Sequence, residues 1–356
     1  MLPVNFCMFA PDPEARYTIE LADQIFGLIM IVLGLLMTLW PLRWWAIWWS
    51  RRNDPQYATQ QVQQGLFKSR FLPFVFLAPT LIILALFLYY PSLDTFRLST
   101  LLARLDSQRT AFVCVDNFTR LVNDTGYFGV VGTTLMISLA IVAIGLVLSL
   151  LIATMAYQPL KGARIYRTLL IWPYAISPAV AGIIFLLLFN PTGGIMNYFL
   201  NGLFGIKIGW LNDPAAAPWA VIVASVWKSM GFNVLFYIAG LQNVPKDLQE
   251  AAAIDGANAI QRFRHVVIPL LSPITFFLVI TNITYAFFDT FGTIDYLTGG
   301  GPVGSTTTLM YQVYELGIVN KDLGKAAAQS IILFAMVIGL TIVQFRTQGR
   351  RVNYGA

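Results

Sequence analysis

Seven apolar stretches recur along the chain, at 24–49, 71–90, 128–156, 167–189, 217–240, 267–291 and 326–345, each bounded by charged residues or by Pro, Gly and Asn. Each holds about the 20 residues a helix needs to cross roughly 30 Å of hydrocarbon. In hydrocarbon a chain must satisfy its own backbone donors and acceptors, so such stretches fold as helices or as strands of a closed barrel. Barrel strands would read as alternating segments of about ten residues, and no run of these is found. The chain therefore reads as all-α and polytopic. Composition supports this: 57% of its 356 residues are hydrophobic and 11% charged, more apolar surface than a soluble core of that length can bury.

Lys and Arg placement sets the orientation. Segments 51–70, 157–167, 242–266 and the tail carry thirteen basic residues, against eight spread over the longer alternate loops. The positive-inside rule makes the richer side cytoplasmic, with the N-terminus outside and the C-terminus inside. Because the basic residues are scattered at membrane boundaries, the net charge of +6 reads as topology and not as a nucleic-acid surface. The first segment follows an acidic leader with Asp12, Glu14, Glu20 and Asp23, the reverse of a signal peptide's basic start, so it reads as a retained span. Trp44, Trp45, Trp48 and Trp49 before Arg51 and Arg52 form an interfacial belt, and a Gln-rich linker runs from Asn53 to Gly65.

Catalytic machinery is not evident. HExxH, GxSxG and paired-Cys patterns are missing; the single His265 sits at a membrane edge, in an interfacial or capping role; and Cys7 and Cys114 are far apart in sequence. The run Gly299, Gly300, Gly301, Pro302 lacks the Lys of a phosphate loop, so this chain has no Walker site and energy must come from a partner.

The loop between the fifth and sixth segments reads as a short helix, Pro245 in its first turn and Asp247 and Glu250 near the positive end of the dipole. Ala252, Gly256 and Ala257 let another surface approach. Gly256, placed inside the helix, would cost about 1 kcal/mol against Ala, tolerable at a bend or a close contact. From spacing alone a partnered and an unpartnered helix stand equal.

Glu250, Ala251 and Ala252, then Gly256, then Val266, Val267, Ile268 and Pro269 resemble the signature loop of ATP-binding-cassette importer permeases, with Val266 and Ile268 as conservative departures. The likeness spans about 68–350. Trp227, Lys228, Gly231, Phe232 and Asn233, with Thr298–Pro302, resemble the maltose-type carbohydrate-uptake permeases. Pro173, Tyr174, Ala175, Phe189, Asn190, Pro191 and the run Tyr285–Phe291 are most similar to glycerol-3-phosphate importer permeases. The resemblance implies a six-helix permease core over 68–350, with a coupling helix at about 245–262 in which Glu250, Ala251, Ala252, Asp255 and Gly256 couple to an ATPase. It also implies a second homologous permease, an ATPase dimer that binds ATP and Mg, an external substrate-binding protein and an inner-membrane location. Residues 1–67 are an N-terminal extension beyond that pattern, and 351–356 a cytoplasmic tail.

Substrate-pathway candidates are Lys228, Asn233, Tyr285 and Asp289. A Lys in mid-membrane costs about 2.5–3.5 kcal/mol on insertion scales, so Lys228 faces a cavity, snorkels or pairs with a carboxylate such as Asp289. Asp289 and Asp295 fall near the outer end of the sixth segment, where an interfacial placement is the other reading. The expected cargo is glycerol 3-phosphate or a related glycerophosphodiester, with a neutral sugar, or a non-transporting scaffold, as the alternatives.

Overall fold

A computed structural model describes residues 72–157 and 162–348. The segment at 24–49, the Trp run, the Gln-rich linker and the tail at 351–356 lie outside the described residues. In chain order the main elements are α1 (Phe76–Ser99), β1 (Leu101–Arg104), β2 (Ser107–Phe112), α2 (Asp116–Val122), α3 (Tyr127–Tyr157), α4 (Ile165–Ala175), α5 (Pro178–Leu188), α6 (Ile195–Phe204), α7 (Ala217–Gln242), α8 (Lys246–Ile254), α9 (Ala259–Arg262), α10 (Ser272–Leu297), α11 (Leu309–Tyr314) and α12 (Leu323–Gln348). Helices α1, α3, α7, α10 and α12 are long and apolar enough to cross a membrane. The expected all-α polytopic fold is found, with a small antiparallel hairpin, β1–β2, added to it.

Two segments differ from expectation. The stretch 167–189 is not one helix but the pair α4 and α5, bent by 102°. Pro178 has no N–H to continue a helix and disfavours helical geometry in the residue before it. Ile176 and Ser177 are accordingly extended (ψ 139° and 152°), and the Ser177 hydroxyl caps α5 by accepting from the Val180 N–H. The sixth segment begins at Ser272 and runs past its expected end at 291 to Leu297, so Asp289 lies about two turns before the helix end.

The described residues fall into two compact units. In the first, residues to Leu121 together with Glu315–Ile331, the buried Asn117 amide donates to the carbonyls of Ser99 and Leu101, both at 2.9 Å. The Leu105 N–H donates to the Lys321 carbonyl at 2.9 Å, tying the hairpin to the segment before α12.

The second unit holds Val122–Tyr314 and the chain from Ile332. Its centre is α7, 67% buried along its apolar window. Small residues let helix backbones approach closely in lipid, where packing and not water exclusion drives association. A Cβ added at Gly231 of α7 would lie 2.8 Å from the Ile171 carbonyl oxygen of α4, and one at Gly182 of α5 would lie 2.9 Å from the Thr293 carbonyl of α10. These approaches seat α4 against α7 and α5 against α10.

Candidate functional site

Helix α7 ends directly in the loop that carries the Glu250–Gly256 motif. Pro245 occupies the N-cap position of α8, one residue earlier than expected, and Asp247 stands in the first turn. The helix stops at Ile254 by a Schellman motif: the Gly256 N–H donates to the Ala253 carbonyl (3.1 Å) and the Ala257 N–H to the Ala252 carbonyl (2.9 Å). Gly256 is left-handed at φ +86°, with open space where a Cβ would stand. It therefore stands just past the helix end and not inside it, at a bend, one of the two settings in which a Gly was expected to be tolerated. It serves the backbone, since a left-handed L-residue costs about 1–2 kcal/mol.

The continuous helix expected over 245–262 is thus two helices about a turn. Asn258 and Gln261 form a reciprocal capping box at α9 (2.8 and 2.9 Å), and the Arg262 guanidinium donates to the Ala257 carbonyl at 2.9 Å. His265 Nδ1 lies 3.0 Å from the Gln261 carbonyl. A cleft of about 380 Å³ opens between the arms, lined by Ala252, Asp255, Gly256, Gln261, Arg262 and His265. Glu250 and Ala251 are exposed beside it, as are three large apolar side chains, Leu248 (48%), Ile254 (86%) and Ile260 (77%).

Midway along α7 lies a different kind of site. Lys228 is only 6% exposed, and its ammonium sits between the rings of Tyr174 and Tyr285, 5.5 and 5.2 Å from their centroids. Both distances fall within cation–π range. Tyr285 belongs to a π-helical turn of α10, Tyr285–Asp289, and its hydroxyl donates to the Ser225 carbonyl at 3.3 Å. The displaced Ala286 carbonyl of that turn accepts from the hydroxyls of Thr290 (2.8 Å) and Ser138 (3.3 Å). One turn and a half further along α7, Asn233 and Asn282 exchange amide hydrogen bonds at 3.0 and 2.7 Å, fully buried.

Among the described residues no carboxylate oxygen comes within 4.0 Å of the Lys228 ammonium. The ion pair with Asp289, one of the readings open from sequence, is not made. Asp289 is the carboxylate whose field reaches Lys228, but it is exposed. The ammonium thus stands within cation–π range of aromatic faces on two sides, with no carboxylate as an ion-pair partner among the described residues.

Of the expected pathway residues, Lys228 and Tyr285 are in contact, Asn233 lies one layer along α7, and Asp289 closes the same π turn. Sequence reasoning did not single out Asn282 or Ser225, and it met Tyr174 only within a motif. The signal for Asn282 was present: an Asn amid an apolar segment needs an intramembrane partner, and Asn233 is the amide in the neighbouring segment.

A family model for the binding-protein-dependent transport system inner membrane component matches residues 145–350. The chain belongs to that family. It is a membrane permease subunit of an ATP-binding-cassette importer and not an enzyme; ATP-driven work belongs to partner subunits. This permease is 42% identical over 299 residues to the sn-glycerol-3-phosphate transport system permease protein UgpA of Pectobacterium atrosepticum, covering 81% of this chain and 98% of that relative. It is 44% identical over 288 residues to UgpA of Yersinia enterocolitica (81% and 97%) and 42% identical over 298 residues to UgpA of Rhizobium meliloti (83% and 100%). Among solved structures it resembles a chain of a bacterial alginate transporter in complex with alginate pentasaccharide-bound periplasmic protein, with a TM-score of 0.70 and 21% identity over 80% of this chain and 96% of that one. At that identity the likeness shows the fold alone.

Proposed function

We propose that this permease forms half of the pathway by which an importer takes up sn-glycerol 3-phosphate or a related glycerophosphodiester, and that Lys228 compensates the phosphate charge in mid-membrane. The observation that carries the reading is the buried ammonium between Tyr174 and Tyr285, free of a carboxylate partner. A phosphate with about −1.5 to −2 charges cannot enter a low-dielectric cavity uncompensated. The relatives named for sn-glycerol 3-phosphate support the same cargo. Asn233 and Asp289 line the same route in this reading.

The corner at α8 and α9 docks on an ATPase, with Glu250, Ala251, Ala252, Asp255 and Gly256 shaping the contact and Leu248, Ile254 and Ile260 burying apolar surface in it. The importer then comprises this chain, a second permease, an ATPase dimer that uses ATP and Mg, and an external substrate-binding protein. The N-terminus lies outside and the C-terminus in the cytoplasm. Residues 1–67 are an extension to a core at 68–350, a reading that fits relatives matched over 97–100% of their own length by 81–83% of this chain.

The test is uptake by vesicles that hold the assembled importer, offered labelled glycerol 3-phosphate and, separately, a maltose-like sugar. Phosphate uptake is expected; uptake of the sugar alone refutes the cargo.

A further inference from the structure

Between α5 and α7 the chain forms a helix that nothing above uses. Helix α6, Ile195–Phe204, is ten residues long, or about 15 Å, half of what is needed to cross the hydrocarbon. Ile195, Tyr198, Phe199, Gly202 and Leu203 follow the i, i+3, i+4, i+7, i+8 spacing of a single face. That face is uncovered: Ile195 is 56% exposed, Tyr198 79%, Phe199 58% and Leu203 73%. The inward edge is tethered, because the Asn197 amide donates to the Ile208 carbonyl (2.9 Å) and accepts from the Ile208 N–H (3.2 Å). The orientation is the reverse of an amphipathic helix on a soluble protein, with a polar group engaged inward and the apolar face turned out.

We propose that α6 is an interfacial helix, its apolar face sunk into the bilayer leaflet opposite the coupling corner. Its place in the chain carries this. Helix α7 delivers its C-terminal end to α8, so its beginning at Ala217 lies at the opposite membrane face, and α6 precedes that beginning by residues 205–216, which fold back on α6 through the Asn197–Ile208 bonds. The flanking helices carry uncovered apolar side chains as well: Ile183 and Leu187 on α5, which packs against α6, and Trp219 and Val223 on α7. Tyr198 is of a residue type that the aromatic belts place at membrane boundaries. Lys207, exposed just after α6, stands where it meets lipid phosphate. The occupant is therefore the phospholipid bilayer, not a protein groove.

Nitroxide labels at Phe199→Cys, Leu203→Cys and Asn201→Cys, in a chain with Cys7→Ser and Cys114→Ser, test it in the fully assembled importer in phospholipid nanodiscs. Labels at 199 and 203 are expected to collide several-fold more with oxygen than with a water-soluble nickel chelate, at a depth of about 5–10 Å below the phosphates. The label at 201, on the polar edge, is expected to favour the chelate. Labels at 199 and 203 that favour the chelate would place the face in water, and labels shielded from both reagents would place it under a protein partner; either result overturns the proposal.

Discussion

At the end of α7 the corner of α8 and α9 is held by bonds that reach no more than five residues along the chain, whereas midway along the same helix Asn233 and Tyr285 are held by partners 49 and 60 residues away. The corner is exposed and closes on itself through a Schellman turn and a capping box. The cluster centres on the buried Lys228, while Tyr174 is 47% exposed, and it exists only while α4, α7 and α10 keep their spacing. A locally closed corner can move as one piece under an external pull, while a cluster assembled across helices changes when the helices slide. The two regions thus have different mechanical character: a locally closed corner and a packing-dependent cluster.

The contrast breaks most sharply at Gly231. Gly231→Val places side-chain atoms against the Ile171 backbone and is expected to cost the upper part of about 1–3 kcal/mol through overpacking, seen as a lowered melting temperature and lower yield of the assembled complex. Wild-type melting would show that α4 and α7 are not held at this spacing.

Asn282→Leu comes next. It strands the Asn233 amide, and intramembrane hydrogen bonds are worth about 0.6–2 kcal/mol. Asn233→Leu with Asn282→Leu should recover part of that loss, so a double-mutant cycle on melting reads the coupling. Strictly additive effects would deny the reciprocal pair its role.

At the corner the change is smaller and of another kind. Gly256→Ala should strain the left-handed turn by about 1 kcal/mol, and Gly256→Asn by less, because Asn tolerates that conformation. Melting should barely move while substrate-stimulated ATPase activity and uptake fall together. Normal coupling in Gly256→Leu would sink the assignment. The smallest effect is expected from deleting residues 1–64: turnover should persist, and its loss in a truncated chain that inserts and assembles would contradict the reading of 1–67 as an extension.

How far each region could be read beforehand follows the same divide. Pro245, Asp247 and the apolar spans announced themselves because capping preferences and hydrophobic length are local properties. Even there Gly256 was misplaced by a turn, since sequence alone does not separate a helix-interior Gly from one just past its end. The signal for the break between α4 and α5 is Pro178, set within an otherwise continuous apolar run. Lys228 drew attention because a charge in an apolar segment is costly. Its aromatic neighbours did not, because Tyr174 and Tyr285 stand on other helices, distant in sequence, and reach it only through tertiary packing.

The central claim is that the Lys228 ammonium supplies the positive charge for an anionic cargo, and uptake by Lys228→Met tests it most directly. In vesicles containing the assembled importer, with labelled glycerol 3-phosphate outside and ATP available to the ATPase, Lys228→Met is expected to insert and assemble normally but lose uptake, while Lys228→Arg keeps part of it. Undiminished uptake of glycerol 3-phosphate by Lys228→Met would contradict the account.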